Sequence, residues 1–501
     1  MNRSKTAFAG VFWTLANNFV GIIYGFFSVP LLLAYFGKEQ YGLMGMAASL
    51  NMYLQLLDMG MTNTYIKFFS ESIAKKNDEH TQKLFSLTNS IYIFVGFLNS
   101  LVLFCLSFFI DSLFTVTPEQ AITLRHLVLI LAINSVFSWA SVCLDQFIRA
   151  NDLVGWIKKR STFLKLVQAF FLGTTIIFKM SIEFYYLATL FSLTIILPLS
   201  YFKIRKLAPY IHFKPQFDKA LFVKVLPYGL SVFSFSIFQF LALNSRPFLL
   251  GNMSGPGTVA EYNILAAVTS AVTMVSGVFM PVLLPMITKM AVGDEKSEIE
   301  RVLRMGTKYV NIFLSLIVFT LVIASREILD VYVGKEYLGL SFWLSIWLIV
   351  LILNFRSVLA SLVFTKSKLW DLSVMCFVAM VVAFVCYFTF IPKYGVGGVV
   401  IGFAAHELIH TLFHLLYYMP YKCGINTWKL FKEALSPVWG IELLVFGVVV
   451  IMFEFFSFES VFLTGLTKGL LFFFIMFPLV WFVLFNNTDR AFVKQLIQKK
   501  H

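Results

Sequence analysis

Long apolar runs recur along the whole chain, separated by short polar segments. The run at 372–391, for example, contains no charged residue and no alternation of apolar and polar positions. A helix needs about 20 apolar residues to cross the hydrocarbon layer, whereas a strand of a transmembrane barrel shows about ten alternating residues. The pattern therefore predicts an all-α, polytopic membrane protein.

Fourteen membrane spans follow from these runs. They are 9–36, 41–63, 86–110, 122–147, 161–179, 183–202, 225–250, 262–288, 308–325, 341–364, 372–391, 396–420, 436–456 and 461–485. The longest polar segments, 203–224 and 289–308, are too short for a separate domain. We therefore expect the activity to lie within the membrane.

The composition excludes a water-soluble protein. Of 501 residues, 59% are hydrophobic and only 13% are charged, against about 25% charged residues in soluble domains. Phenylalanine alone occurs 58 times, and we assign these rings to lipid-facing positions rather than to a ligand.

The basic residues indicate how the chain is oriented. Of 40 Lys and Arg, 31 fall on one side of the predicted spans and seven on the other, with Arg246 and Arg356 inside spans. Because basic loops stay in the cytoplasm, both termini are expected to be cytoplasmic. The net charge of +14 thus reflects topology, and no nucleic-acid partner is expected.

Cysteines and the N-terminus add little chemistry. The five cysteines are scattered without a C-x-x-C pair, which argues against a disulfide framework or a metal cluster, and no cofactor is expected. Arg3 and Lys5 precede an apolar run that is too long for a signal peptide. We expect this run to be a retained first helix.

An internal echo links the first span to the seventh. The run that starts at Pro30 leads through Gly37 to Tyr41, and the run that starts at Pro247 leads through Gly251 to Tyr262. Six spans separate the two copies, so both would have the same orientation, as in parallel repeats.

Several motifs, in order along the chain, resemble one family. They are the Tyr41-Gly42 turn, Leu56 to Met61 with Lys67 to Glu71, Ile328 to Tyr337, and Ile391 to Gly398. Together they resemble the bacterial polysaccharide-unit flippases of the multidrug, oligosaccharidyl-lipid and polysaccharide exporter superfamily. Two positions depart from the pattern, because Lys67 stands where the family often has Arg and Asn244 where it often has an acidic residue.

The resemblance implies an architecture and a function. Residues 1–214 and 215–424 would form two six-helix lobes around a central cavity, and 425–501 would add two helices and a tail. The chain would flip undecaprenyl-pyrophosphate-linked oligosaccharide units to the outer leaflet of the bacterial cytoplasmic membrane, for O-antigen, capsule or exopolysaccharide. Membrane lipids, a coupling H⁺ or Na⁺ ion and polysaccharide assembly proteins would be its partners, and it would not be an enzyme.

Cations inside spans are the candidates for binding pyrophosphate. An intramembrane charge costs at least about 2.5–3.5 kcal/mol, and the planar guanidinium suits phosphate oxygens. We assign substrate binding chiefly to Arg356, with Arg246, Lys67, Asn244 and Asn354. The alternative for both arginines is snorkelling to the headgroup region. On this basis Arg356→Ala is expected to abolish export without lowering protein abundance.

Asp58 and Asp145 lie near the inner ends of spans, and Glu442 lies in the inner part of the thirteenth span. Asp58 has no local partner at i+3 or i+4 and is a candidate for coupling to H⁺ or Na⁺, with a helix-end or lobe-packing contact as the alternative. Asp145 and Arg149, at i and i+4, are expected to form a structural pair. Glu442 is expected to be an interfacial residue of the added helix pair.

The string His406-Glu407-Leu408-Ile409-His410 matches H-E-x-x-H, with His414 four residues on. On a helix this spacing aligns the histidines as in zinc proteases. A zinc site also needs a third ligand, and the nearest candidate, Leu57-Asp58-Met59, is weak. We therefore expect no bound metal. His406, Glu407 and His410 are instead candidates for ion coupling on a cavity-facing stripe, with lobe packing as the alternative.

Other functions remain open alternatives. A multidrug exporter shares the expected fold, while a membrane zinc protease or a polysaccharide polymerase or ligase would be an enzyme. Pro281 and Pro285, in the eighth span, are expected to let that helix flex beside the cavity.

Overall fold

The structure, a computed structural model, describes residues 3–58, 60–276, 287, 296–366, 369–455, 458–487 and 489–490. Met59, Pro281 and Pro285 lie outside the described residues. Within these ranges the regular structure is helical, and no β-strand occurs. The predicted all-α class is confirmed.

Twenty α-helices are described. In chain order they are α1 (Arg3–Leu54), α2 (Met61–Ala74), α3 (Asp78–Ser107), α4 (Ile110–Leu113), α5 (Pro118–Ala150), α6 (Val154–Ile177), α7 (Ile182–Thr194), α8 (Ile196–Leu207), α9 (Lys219–Asn244), α10 (Arg246–Ser254), α11 (Pro256–Ser276), α12 (Lys296–Ile323), α13 (Ser325–Val333), α14 (Ser341–Leu351), α15 (Arg356–Lys366), α16 (Leu369–Tyr394), α17 (Val396–Phe413), α18 (Thr427–Leu430), α19 (Ser436–Phe455) and α20 (Val461–Leu479). Short 3₁₀ turns lie at Gln55–Asp58, Lys335–Leu340 and Ile352–Phe355, and π-helical turns at His414–Lys422, Phe431–Leu435 and Val480–Leu484.

Ten helices in the described ranges are long and apolar enough to cross a membrane, so the chain is a multi-pass membrane protein. The first of them, Phe12–Asp58, holds two predicted spans, because α1 is broken at Gly37, which has φ 82°. Glycine adopts this conformation without steric cost. The number fourteen is not confirmed and stays a prediction.

Local sequence explains where several helices begin. Asn77 accepts a hydrogen bond from the His80 N–H at the start of α3. Thr117 and Gln120 form a reciprocal capping box at α5, whose first residue is Pro118. These side chains satisfy N–H groups that have no partner within the helix.

The chain divides into two compact units. Unit 1 comprises Met1–Asn263 with Tyr387–Val396, and unit 2 comprises Ile264–Cys386 with Gly397–His501. The predicted lobes, 1–214 and 215–424, and the added segment 425–501 stay a prediction.

Unit 1 is built on α3 packed against α5 and α1 packed against α6. Its core contains a cluster of buried aromatic rings, including Tyr65, Phe69, Phe85 and Phe147. Phe69 and Phe147 meet edge to face, with ring centroids 5.4 Å apart, a favoured aromatic geometry.

Unit 2 is organised around α12, which packs against α14, α19 and α20. A smaller apolar cluster is formed by Ile312, Val438 and Leu484. Large rings on the surface of this unit stay exposed, among them Phe377 and Phe474. Such exposed apolar surfaces are favourable in contact with lipid and unfavourable in contact with water.

Candidate functional site

Two groups of polar residues in helical segments are candidates for function, one in each unit. The first is centred on Asp58 in unit 1. Its carboxylate accepts hydrogen bonds from the Thr62 N–H at 3.1 Å, the Thr62 hydroxyl at 2.9 Å and the Tyr92 hydroxyl at 2.6 Å. The expectation that Asp58 has no partner at i+4 is wrong, because Thr62 occupies that position and neutral donors hold the anion.

Gln146 completes this network. Its side-chain N–H group donates to the Tyr92 hydroxyl at 2.8 Å and to the Thr62 hydroxyl at 3.1 Å. Each hydroxyl therefore accepts a hydrogen bond from Gln146 and donates one to Asp58. Charge-assisted bonds of this kind are about twice as strong as neutral ones, so the carboxylate is fixed in place.

A cavity of about 500 Å³ opens beside Asp58. Its polar lining includes the side chains of Asn51, Gln55, Asn63 and Ser138, and its apolar wall includes Trp139. None of the described lining residues is basic. A carboxylate beside amides and hydroxyls suits a proton, a small cation or a hydroxyl-rich ligand.

Lys67 lies on α2, outside the described lining of this cavity. Its ammonium group is 4.0 Å from the ring centroid of Tyr228 and 3.9 Å from the Glu71 carboxylate. The side chain is half exposed. The structure therefore does not bring Lys67 together with Asp58.

Arg246 begins α10, directly after the break between α9 and α10. It is 5% exposed, and its Nε–H donates to the Tyr387 hydroxyl at 3.3 Å, which in turn donates to the carbonyl of Ala242 at 3.0 Å. Protein surrounds this guanidinium, so the snorkelling alternative is wrong in this structure. Nearby, the Asn244 amide donates to the carbonyl of Phe240 in its own helix.

The second group, the Arg356 cluster, comprises Arg356, His406, Glu407 and His410 in unit 2. Arg356 begins α15 after the 3₁₀ turn that contains Asn354, and the other three lie on α17. Arg356 Nη1 is 2.5 Å from Glu407 Oε2 and 3.2 Å from the Glu407 carbonyl oxygen. The side chains are 13% and 5% exposed, so the two charges form a buried, neutral pair.

The histidines extend this cluster along α17. His406 Nδ1 is 3.2 Å from Glu407 Oε1, and the rings of His406 and His410 lie 4.5 Å apart. His414 Nδ1 is 2.7 Å from the carbonyl oxygen of His410. All three histidines are buried.

The cluster is a poor fit for zinc. Among the described residues there is no group of three or more His, Cys, Asp or Glu side chains arranged to hold a metal ion. Arg356 also occupies the Glu407 carboxylate with a fixed positive charge, which would repel a metal cation.

One predicted ion pair is wrong. Asp145 pairs with Arg160 of α6, through two contacts of 2.8 and 2.9 Å, and Arg149 is exposed. A two-pronged contact with a buried guanidinium is stronger than an exposed i,i+4 pair.

Sequence reasoning did not identify Tyr92, Gln146 and Tyr387 as partners of the charged residues. Each is a polar side chain within a long apolar run. That placement is the sequence signal that could have indicated a buried polar contact.

Comparisons with known proteins bear on the family. The model of a family described as "Polysaccharide biosynthesis protein" matches residues 7–291, more than half of the chain. The chain belongs to this family. No curated protein sequence matches it.

The fold resembles solved transporters. The structure titled "Lipid II flippase MurJ, inward closed conformation" aligns with TM-score 0.70 and 16% identity, covering 94% of this chain and 99% of that one. An inward-facing multidrug resistance MATE family transporter of the MOP superfamily aligns with TM-score 0.64 and 11% identity, covering 82% and 95%. The MATE multidrug transporter DinF-BH aligns with TM-score 0.59 and 14% identity, covering 84% and 96%. At these identities the likeness establishes the fold, and the predicted family and fold class are confirmed.

Proposed function

We propose that the chain flips undecaprenyl-pyrophosphate-linked oligosaccharide units from the inner to the outer leaflet of the bacterial cytoplasmic membrane, with both termini in the cytoplasm. The observation that supports this proposal most is the match of residues 7–291 to a family described as "Polysaccharide biosynthesis protein". The likeness to a structure titled as a lipid II flippase supports it. The products would be O-antigen, capsule or exopolysaccharide, made with polysaccharide assembly proteins.

The lobes 1–214 and 215–424 would undergo alternating access without catalysing a reaction. In this mechanism Arg356 binds the pyrophosphate by exchanging its partner. In the described structure the guanidinium is neutralised by Glu407, and a diphosphate offers the same arrangement of acceptor oxygens. Arg246, Lys67, Asn244 and Asn354 would contribute further contacts.

Partner exchange would link substrate binding to an ion. When Arg356 turns to the substrate, Glu407 loses its cation, and a buried carboxylate without a cation is unfavourable. A proton or Na⁺ would then bind at Glu407, with His406 and His410 beside it. Asp58 would be a second coupling site in unit 1, next to its polar cavity.

Deleting the gene in its host tests the function. We expect lipid-linked oligosaccharides to accumulate on the inner leaflet and surface polysaccharide to disappear. Expression of the wild-type gene should reverse both effects. Unchanged polysaccharide would overturn the proposal.

The second candidate function is multidrug export. It is favoured by the likeness to MATE transporters, two of them titled as multidrug transporters. In the same deletion strain, lost drug resistance with intact surface polysaccharide would select this function. Loss of polysaccharide with unchanged drug resistance would reject it.

A further inference from the structure

Glu442 is a fully buried acidic residue within a helix that is long and apolar enough to cross a membrane. It belongs to α19 and is 0% exposed. The expectation that Glu442 is an interfacial residue of the added helix pair stays a prediction. Val438, one turn earlier on the same helix, belongs with Ile312 of α12 to an apolar core cluster.

One hydroxyl group contacts this carboxyl group. Ser315 Oγ, on α12, is 2.7 Å from Glu442 Oε1. The other oxygen, Oε2, is buried and has no hydrogen-bond partner in the part of the chain that the structure describes. The nearby Asn311 uses its amide oxygen for the Trp439 indole N–H and its amide nitrogen for the carbonyl of Ala434.

The hydrogen atoms can be assigned from the distances around Ser315. Its Oγ is also 2.5 Å from the carbonyl oxygen of Asn311. A hydroxyl has one hydrogen, and a carbonyl oxygen can only accept. If the hydroxyl donates to the carbonyl, the contact with Glu442 needs a hydrogen on Oε1, which a carboxylic acid supplies and a carboxylate does not. The opposite assignment would leave two lone pairs facing each other at 2.5 Å.

Several charged groups on the elements packed against α19 form ion pairs with residues other than Glu442. No ion pair among the described residues includes Glu442. The neighbouring charged groups pair as follows: Arg301 with Glu298, Arg304 with Glu433 and Lys308 with Asp489 on α12, and Lys468 of α20 with Glu327. In the π-helical turn before α19, Lys432 lies 5.3 Å from the ring centroid of Trp428. Lys308 precedes Ser315 by seven residues, about 10 Å along the helix.

We propose that Glu442 is a proton-binding site of unit 2, which holds a proton in the described structure and releases it when the contact between α12 and α19 opens to water. A carboxylate without a cation in an apolar interior takes up a proton instead. A glutamic acid in water is ionised at neutral pH. Opening the contact therefore releases one proton, and closing it takes one up.

Infrared spectroscopy of the full-length protein in lipid nanodiscs at neutral pH tests the protonated state directly. We expect the wild type to show the C=O band of a protonated carboxylic acid, and Glu442→Gln to lack that intensity. The matched control Glu327→Gln removes a carboxylate paired with Lys468 and should leave the band unchanged. A folded Glu442→Gln variant with the same band as the wild type would overturn the proposal.

Hydrogen–deuterium exchange of the α19 amides tests the release. After correction for intrinsic rates, the opening equilibrium of the wild type should rise with pH, by up to about tenfold per pH unit for one released proton. Glu442→Gln should show no such dependence. Equal pH dependence in the two proteins would refute proton release on opening. Neither measurement requires transport, so failure of the proposed function would not affect the result.

Discussion

Arg356 and Glu407 form a buried ion pair, with 2.5 Å between Nη1 and Oε2. The two residues lie 51 positions apart in the sequence. Arg356 is the first residue of α15, and Glu407 lies within α17. The candidate cation for the substrate is therefore already neutralised within unit 2. This pairing changes what a mutation of either residue should do.

Arg356→Ala is expected to abolish export and also to destabilise the protein. Removing one partner of a buried pair leaves an uncompensated charge, at a cost of about 3–5 kcal/mol. This replaces the expectation of intact abundance. Thermal unfolding of the purified variant and surface polysaccharide in the complemented deletion strain measure the two effects.

A double variant separates stability from function. Arg356→Ala with Glu407→Gln should regain most of the lost stability, since no charge is left unpaired, but should not export. Arg356→Lys should keep part of the activity because the charge survives without the planar fork. Normal surface polysaccharide in the double variant would remove Arg356 from the mechanism.

Glu407→Gln is expected to free the guanidinium for the substrate. A charge-assisted contact of about 1.5–3 kcal/mol no longer competes with it, so a soluble undecaprenyl-pyrophosphate analogue should bind about tenfold more tightly or better. Export should become slower because the substrate leaves less readily. Titration calorimetry and flipping in proteoliposomes measure the two effects, and weaker binding would contradict the exchange mechanism.

The helices were largely predictable because long apolar runs determine them. The echo between the first and seventh spans was placed less well. The second turn was predicted at Gly251, whereas α10 continues to Ser254 and the turn lies at Gly255, with φ 82° as at Gly37. Gly255 precedes Pro256, the first residue of α11, and a Gly-Pro pair is the stronger marker of a turn.

Partners of charged residues were less predictable, because tertiary packing selects them. Helical spacing predicted that Asp145 pairs with Arg149, but Arg160 of the next helix reaches it with two nitrogens. Likewise no local pattern links Arg356 to Glu407. The sequence identified which residues carry charge inside spans, and the packing of helices determines which of them meet.

Asp58→Asn is expected to stop export while lowering abundance only slightly. Asparagine preserves the shape, and its amide oxygen can still accept from the Tyr92 and Thr62 hydroxyls, but it loses the acceptor of the Thr62 N–H and removes the negative charge from the cavity. We expect the dependence of flipping on the H⁺ or Na⁺ gradient to disappear in proteoliposomes. Glu79→Gln, which changes an exposed carboxylate paired with Lys83, is the matched control and should behave as the wild type.

Full flipping with an unchanged ion dependence in Asp58→Asn would restrict Asp58 to a structural role. Tyr92→Phe would then still lower stability, by about 1 kcal/mol, through the lost hydrogen bonds to Asp58 and Gln146. The pair of variants thus distinguishes ion coupling from support of the α2–α3 contact.

His406, Glu407 and His410 are expected to bind no metal that transport requires. Elemental analysis of the purified wild type should find zinc well below one ion per chain, and a chelator should leave flipping unchanged. Stoichiometric zinc that is lost in His410→Ala would contradict this prediction and favour the zinc-protease alternative.

Lys38 and Glu261 connect the turns that follow the first and seventh predicted spans, at 2.7 Å. Both side chains are partly exposed, 38% and 22%, so the pair contributes at most about 1 kcal/mol. If the turns separate during alternating access, Lys38→Glu should favour the separated state by like-charge repulsion and change the flipping rate by up to about fivefold. Glu261→Lys should act in the same direction.

Exchanging both charges restores an attractive pair, so Lys38→Glu with Glu261→Lys should return the rate close to that of the wild type. The rates of the four proteins in proteoliposomes form a double-mutant cycle; additive effects of the two single changes would show that this pair does not control separation of the turns.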